Sequence, residues 1–281
     1  MAHGRIVWSA AVPDSLPTRA ATSLRLRMLD AADVVARRRD PLVPPRRLRF
    51  VGEGDFAAVG DEYLRHLISL GKLGPEERVL DVGCGIGRLA RPLSDYLGPG
   101  SSYDGFDPDP RGIEWCTQAY RNRPDFTFQH LDVFNGRYNP RGALDPRTVR
   151  FPYDDERFDV VVMVSVLTHV LPETLEHYLR EARRVLLPDG RLFATAFLLD
   201  DSAREALAAG NGALGFEPVD ARHAVVDPAV PEEAVAYDEE WFLDRVAEAG
   251  FRKAGIRHGT WTPRASGRAF QDIVVARLAG S

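Results

Sequence analysis

The chain has 281 residues, of which 44% are hydrophobic and 27% charged, and its formal net charge is -5. That is the profile of a globular chain long enough to bury a full core, and its acidic balance argues against a dedicated nucleic-acid binder, which carries a basic surplus or stripe. The two cysteines, Cys84 and Cys116, are too few for a disulfide framework and lack zinc-ligand spacing, so no metal centre is expected from them.

In chain order, the pattern predicts a helix from Leu24 to Arg39, ended by Pro41 and Pro44-Pro45, and a second from Asp61 to Leu70, stopped by Gly71. The arginines at 37–39 and 46–47 read as a solvated helix end and a linker. The texture then changes. Strands are predicted at Val79–Val82, Tyr103–Phe106, Phe126–Leu131 and Phe158–Val164, with helices at Arg88–Leu97, Arg111–Asn122 and Leu175–Leu186 between or after them. Phe158–Val164 is continuously apolar, as a strand covered on both faces requires. Pro188-Asp189-Gly190 turns the chain into a strand at Leu192–Phe197. After an irregular stretch a helix runs from Asp238 to Ala249, closed by Gly250, and strands follow at Phe251–Ile256 and Phe270–Leu278. Alternating strands and helices predict an α/β, doubly wound, mainly parallel sheet with helices on both faces and ligands at the carboxyl ends of the strands. Two stretches interrupt the rhythm, 135–150 and 200–236, and both follow strand ends, so both are expected to overhang the site. We therefore divide the chain into an N-terminal helical extension, 1–60, and one domain, 61–281, carrying these two insertions.

Between the first strand and its helix lies Asp81-Val82-Gly83-Cys84-Gly85-Ile86-Gly87. A nicotinamide fingerprint needs its third glycine at position 88, where Arg88 stands. Asp81 would repel a pyrophosphate and attract a cationic aminoacyl group, so the motif favours S-adenosylmethionine over NAD. Asp107 ends the second strand, where a carboxylate can accept both ribose hydroxyl hydrogens. Asp132 follows the third, placed to accept from an adenine amino group while the Val133 N–H donates to the ring. Three acids at three successive strand ends are a pattern that isolated turn residues do not explain.

With these residues in hand, the stretch from Arg78 to Phe197 resembles the class I, Rossmann-like methyltransferase family. The glycine motif, both acids and the segment Phe158-Asp159-Val160 match; Leu187-Pro188-Asp189-Gly190 resembles the family's Pro-Gly-Gly turn, with Asp189 replacing a glycine. The resemblance implies a seven-stranded sheet whose last strand is antiparallel. It also implies S-adenosylmethionine as cofactor, with Asp81 and Gly83 near the methionine moiety, Asp107 on the ribose, and Asp132 and Val133 at the adenine. Cys84, Gly85, Gly87, Pro108 and Ser165 complete the expected contact set.

For the acceptor, Ser165-Val166-Leu167-Thr168-His169 follows the fourth strand and contains neither a Pro-Pro-Tyr type motif nor a nucleophilic cysteine, which argues against methylation of DNA bases. His169 is the candidate general base, since an imidazole titrates near working pH and can accept a hydroxyl proton; the alternative is a helix-start histidine bonded to nearby backbone. His223 in the second insertion could also reach the site, and Tyr63, Tyr138 and Tyr153 could line it, although tyrosines more often pack. No carboxylate cluster marks a magnesium site, with Asp200-Asp201 the one pair that keeps the possibility open. The leading expectation is a metal-independent O-methyltransferase acting on a small molecule, a sugar or a secondary metabolite, with no nucleic-acid partner. N-methylation of a small molecule, or a regulatory module that binds the cofactor without turnover, are the alternatives. The longest apolar run, near Val160–Val166, is too short to span a bilayer, and with no secretory leader read at the N-terminus the expected setting is the cytoplasm, away from membranes.

Overall fold

The computed structural model describes residues 40–48, 54–252, 255–264 and 269–278. The helix expected at Leu24–Arg39, and most of the 1–60 extension, lie outside the described residues.

Seven strands form the main sheet: β1 (Arg78–Val82), β2 (Ser102–Asp107), β3 (Phe126–His130), β4 (Phe158–Met163), β5 (Leu186–Ala196), β10 (Gly255–Arg257) and β11 (Asp272–Arg277), in the order β10-β11-β5-β4-β1-β2-β3. The first five run parallel, and β11 lies antiparallel to both β5 and β10. Strand β10 therefore runs with the first five, and the last strand, β11, is the one that runs against them, as expected. The order reverses at β1, which has β2 on one side and β4 on the other; this switch point is where an open α/β sheet leaves a crevice at its carboxyl ends.

Alternation along the central strands explains the layering. Leu80, Val82, Val161, Met163, Leu192 and Ala194 face one way, into a core shared with α4 (Pro172–Val185) and α6 (Glu239–Glu248). Val79, Val160, Val162 and Phe193 face the other way, against α1 (Phe56–Ser69), α2 (Ala90–Tyr96) and α3 (Pro110–Ala119). With successive side chains on opposite faces, a strand covered twice must be apolar at every position, as Val160–Met163 is.

Three departures from the sequence reading stand out. Helix α1 begins at Phe56, five residues before Asp61, because the Asp55 carboxylate caps it by accepting from Ala58 N at 2.8 Å; the 60/61 division therefore falls inside a helix. The Pro188-Asp189-Gly190 turn is an excursion within β5: pairing with β4 steps from Phe158–Leu186 to Val160–Arg191 and leaves Pro188 and Asp189 exposed. The segment 200–236 is ordered. It holds α5 (Asp201–Ala208), and β7 (Glu217–Pro218), β8 (His223–Val225) and β9 (Val235–Asp238) join β6 (Leu198–Leu199) in a separate four-stranded sheet. Strands of two to four residues are too short to show a periodicity.

Candidate active site

The loop that leaves β1 has Gly83, Gly85 and Gly87 at φ of 70°, 56° and 75°, a left-handed region that costs other residues about 1–2 kcal/mol each. At Gly83 a Cβ would also stand 2.6 Å from Val166 Cγ2. The loop folds back on the end of β2: Gly85 N donates to Asp107 Oδ2 at 2.8 Å, and Asp109 N donates to Asp107 Oδ1 at 2.8 Å. Asp81 is 3% exposed and accepts from the Tyr103 hydroxyl at 2.6 Å. Burial pushes Asp81 up to about 7, opposed by the Tyr103 hydrogen bond and helped by the Asp107 charge. Burial likewise pushes Asp107 up to about 6, against the two backbone donors. Neither carboxylate forms an ion pair with an arginine or lysine among the described residues. Two buried acids in that state are suited to a ligand that brings its own positive charge and hydroxyl donors.

These groups open into a cavity of about 700 Å³ at the carboxyl ends of β1, β2 and β4. Of the residues expected from sequence, Asp81, Gly83, Cys84, Gly85, Asp107, Pro108, Val133, Ser165 and His169 line it. Gly87 and Asp132 do not. Gly87 sits behind the loop, where a Cβ would lie 3.1 Å from Cys116 Sγ. Asp132 turns its carboxylate to the first insertion, accepting from Asn139 Nδ2 at 2.8 Å and Ala143 N at 3.3 Å, and these bonds lower its pKa.

Ser165 adopts a φ of 58°, a non-glycine residue held in the left-handed region at a cost of order 1–3 kcal/mol. Its N–H donates to Thr195 Oγ1 at 2.8 Å and its hydroxyl to Gln271 Oε1 at 3.0 Å, and Thr195 donates to the same oxygen at 2.6 Å. Gln271 and Thr195 carry no sequence motif, nor does the cavity-lining Glu232, and Arg88, which breaks the nicotinamide fingerprint, also lines the cavity.

Both insertions meet at His169, which closes the short 3-10 turn Leu167–His169 and is 6% exposed. Its Nδ1 lies 3.0 Å from the Glu232 carbonyl and its Nε2 lies 3.3 Å from the Tyr138 hydroxyl. Asn135 Nδ2 donates to the His169 carbonyl at 2.8 Å. The Tyr237 hydroxyl of β9 donates to the carbonyls of Leu167 and Val170, and Arg137 pairs with Glu233 across the two insertions. Burial drives His169 down to about 4, against the backbone bonds from Glu232 and Glu233.

Tyr63 and Tyr138 line the cavity; Tyr153 does not. His223 points away and pairs with Asp220 at 2.9 Å. Asp200 caps α5, accepting from Ala203 N at 2.7 Å, and pairs with Arg264 at 2.9 Å. It approaches Glu239 and His258, with ligand atoms all within 4.8 Å, but none of the three lines the cavity.

A family model described as a methyltransferase domain matches residues 54–251. The chain is 37% identical over 114 residues to "Probable phthiotriol/phenolphthiotriol dimycocerosates methyltransferase 2" of Mycobacterium ulcerans (strain Agy99), covering 41% of this chain and 37% of that protein. It is 30% identical over 148 residues to the ubiquinone biosynthesis O-methyltransferase of Bradyrhizobium diazoefficiens, covering 53% of this chain and 49% of that protein. The chain thus spans less than half the length of these curated relatives. Among solved structures, the PH0226 protein of Pyrococcus horikoshii OT3 superposes with a TM-score of 0.52 at 19% identity, over 80% of this chain and 92% of that one, which shows a shared fold.

Proposed function

This chain belongs to the class I, S-adenosylmethionine-dependent methyltransferase family, and from that premise we propose that it methylates a hydroxyl group of a small molecule with an apolar body. One observation carries the choice of oxygen. A carbonyl can only accept, so the bond from His169 Nδ1 to Glu232 O puts the ring proton on Nδ1 and leaves Nε2 an unprotonated acceptor beside the cavity. A hydroxyl nucleophile gains from such a base; an amine needs only positioning.

When bound, the cofactor supplies an electrophilic methyl group on a cationic sulfur. Asp107 would take its ribose hydroxyls, Asp81 its ammonium, and Gly83, Cys84, Gly85, Pro108, Val133 and Ser165 would form the surrounding wall, with Asp132 acting through the insertion it anchors. The two insertions, which meet at His169 and form the roof of the cavity, would bring the imidazole to the acceptor side. Phe134 and Leu144 line the cavity while each remains 40% exposed, so its lip is apolar. That favours an apolar-bodied metabolite over a bare sugar. The two curated relatives, one named for phthiotriols and one for ubiquinone biosynthesis with O-methyl transfer, support the same reading.

The test is methyl transfer from labelled S-adenosylmethionine to matched phenols and anilines that carry the same apolar substituent. Methyl ethers from the phenols are expected, with little product from the anilines. Preferential methylation of the anilines would sink the oxygen assignment and leave the amine alternative.

A further inference from the structure

We propose that the group His169 presents to the acceptor is the phenol of Tyr138, so that Tyr138 is a catalytic residue that touches the acceptor hydroxyl and relays its proton to the imidazole. This inference rests on the base-assisted reading above and deepens it.

The direction of each hydrogen bond follows from the one before it. Glu232 O accepts, so Nδ1 of His169 donates across 3.0 Å. In the neutral ring Nε2 then has only a lone pair. Its partner at 3.3 Å is the Tyr138 hydroxyl, which must therefore donate. The two rings meet edge to face, with centroids 5.0 Å apart and planes at 87°. Having given its proton to Nε2, the Tyr138 oxygen keeps lone pairs to accept from another donor, and Tyr138 lines the cavity. Asn135 fixes the start of this segment by accepting from both Arg137 N and Tyr138 N at 3.0 Å, while its amide holds the His169 carbonyl. One asparagine thus ties the two members of the relay to each other.

The step balances. The acceptor oxygen bonds to the methyl carbon as the carbon–sulfur bond breaks, and that electron pair stays on sulfur. The hydroxyl proton passes to Tyr138 Oη while the phenol proton passes to His169 Nε2. One positive charge disappears from sulfur as one arrives on the imidazole, so the net charge of the site is unchanged. This matters because burial, which holds His169 at about 4 in the free protein, penalises a second cation and not the exchange of one for another. Burial also pushes Tyr138 up to about 12, so the phenol stays protonated and can hand on a proton.

Two measurements on the full chain test this. With the histidines labelled with ¹⁵N and S-adenosylhomocysteine bound, His169 should give one protonated Nδ1 and one hydrogen-bonded, unprotonated Nε2. Tyr138→Phe should move only Nε2, to the position of a free imine nitrogen. A proton on Nε2 in the parent protein would overturn the proposal. The second measurement compares an apolar phenol with the matching thiophenol, whose thiolate needs no base. Tyr138→Phe should lower the phenol-to-thiophenol rate ratio by about 100-fold, and adding His169→Ala to it should cost little more, as members of one unit do. If His169→Ala lowers the ratio and Tyr138→Phe does not, the imidazole meets the acceptor directly and the relay is wrong. If neither variant moves the ratio, base assistance itself fails, and the relay with it.

Discussion

The floor of the cavity and its roof reach the same space by different means. On the floor, Asp81 and Asp107 stand at the ends of neighbouring paired strands, and their partners Tyr103 and Gly85 lie 22 positions away within one strand–helix–strand unit. In the roof, His169 takes its partners 31 and 63 positions away, from Tyr138 in one insertion and Glu232 in the other. The floor inherits its geometry from sheet register, which the whole core enforces. The roof is a set of separate long-range bonds, each removable alone. Damage to the floor should therefore appear as lost cofactor affinity, and damage to the roof as lost turnover.

His169→Ala should break the roof most severely, lowering turnover on the hydroxyl acceptor by ~10²–10⁴ with cofactor affinity retained. The pH profile sharpens this. The base works when neutral, and its folded-state value is about 4. At saturating cofactor, turnover should stay flat from neutral pH downwards and fall only as pH approaches that value. Loss near the ordinary imidazole pKa of about 6.5 would place the titrating histidine elsewhere.

Next in size, Asp107→Ala should weaken S-adenosylhomocysteine binding by about 1–3 kcal/mol in calorimetry, because buried ribose hydroxyls lose their acceptor. Turnover at saturating cofactor should fall far less. A variant that binds normally but turns over slowly would erase the division between floor and roof.

The last effect is a pH dependence of the floor itself. Burial raises Asp81 to about 7 in the folded protein, from an ordinary value of 3.8. Between those values the folded state binds a proton that the unfolded state has released, so this site stabilises the cofactor-free protein as pH falls and loses that contribution as pH rises through about 7. A cationic ligand favours the ionised carboxylate, so affinity for S-adenosylmethionine should run the opposite way, rising with pH up to about 7. Opposed slopes in melting temperature and affinity are expected, and between about pH 6 and 7 they should vanish in Asp81→Asn; below about 6 Asp107, also raised by burial, still gives melting temperature a slope of the same sign. Parallel slopes would remove Asp81 as the counter-ion.

Local rules account for the α/β alternation, for the doubly covered strand at Phe158–Val164, and for the nine of eleven expected site residues that the structure places around the cavity. Continuous apolar runs mark strands buried on both faces, glycines mark positive φ, and an acid at a strand end is carried to the crevice by the strand. Gly87 and Asp132 stood in the same motifs, yet one faces Cys116 and the other is bonded to Asn139 and Ala143. Side-chain direction at a strand end is set by what packs there. What no local rule carries is that the 200–236 insertion forms its own sheet, that Gln271 and Thr195 hold Ser165, and that His169 is buried with its Nε2 against the Tyr138 hydroxyl. Those outcomes arise from hydrogen bonds between residues tens of positions apart, whose partners no periodicity or spacing in the chain encodes.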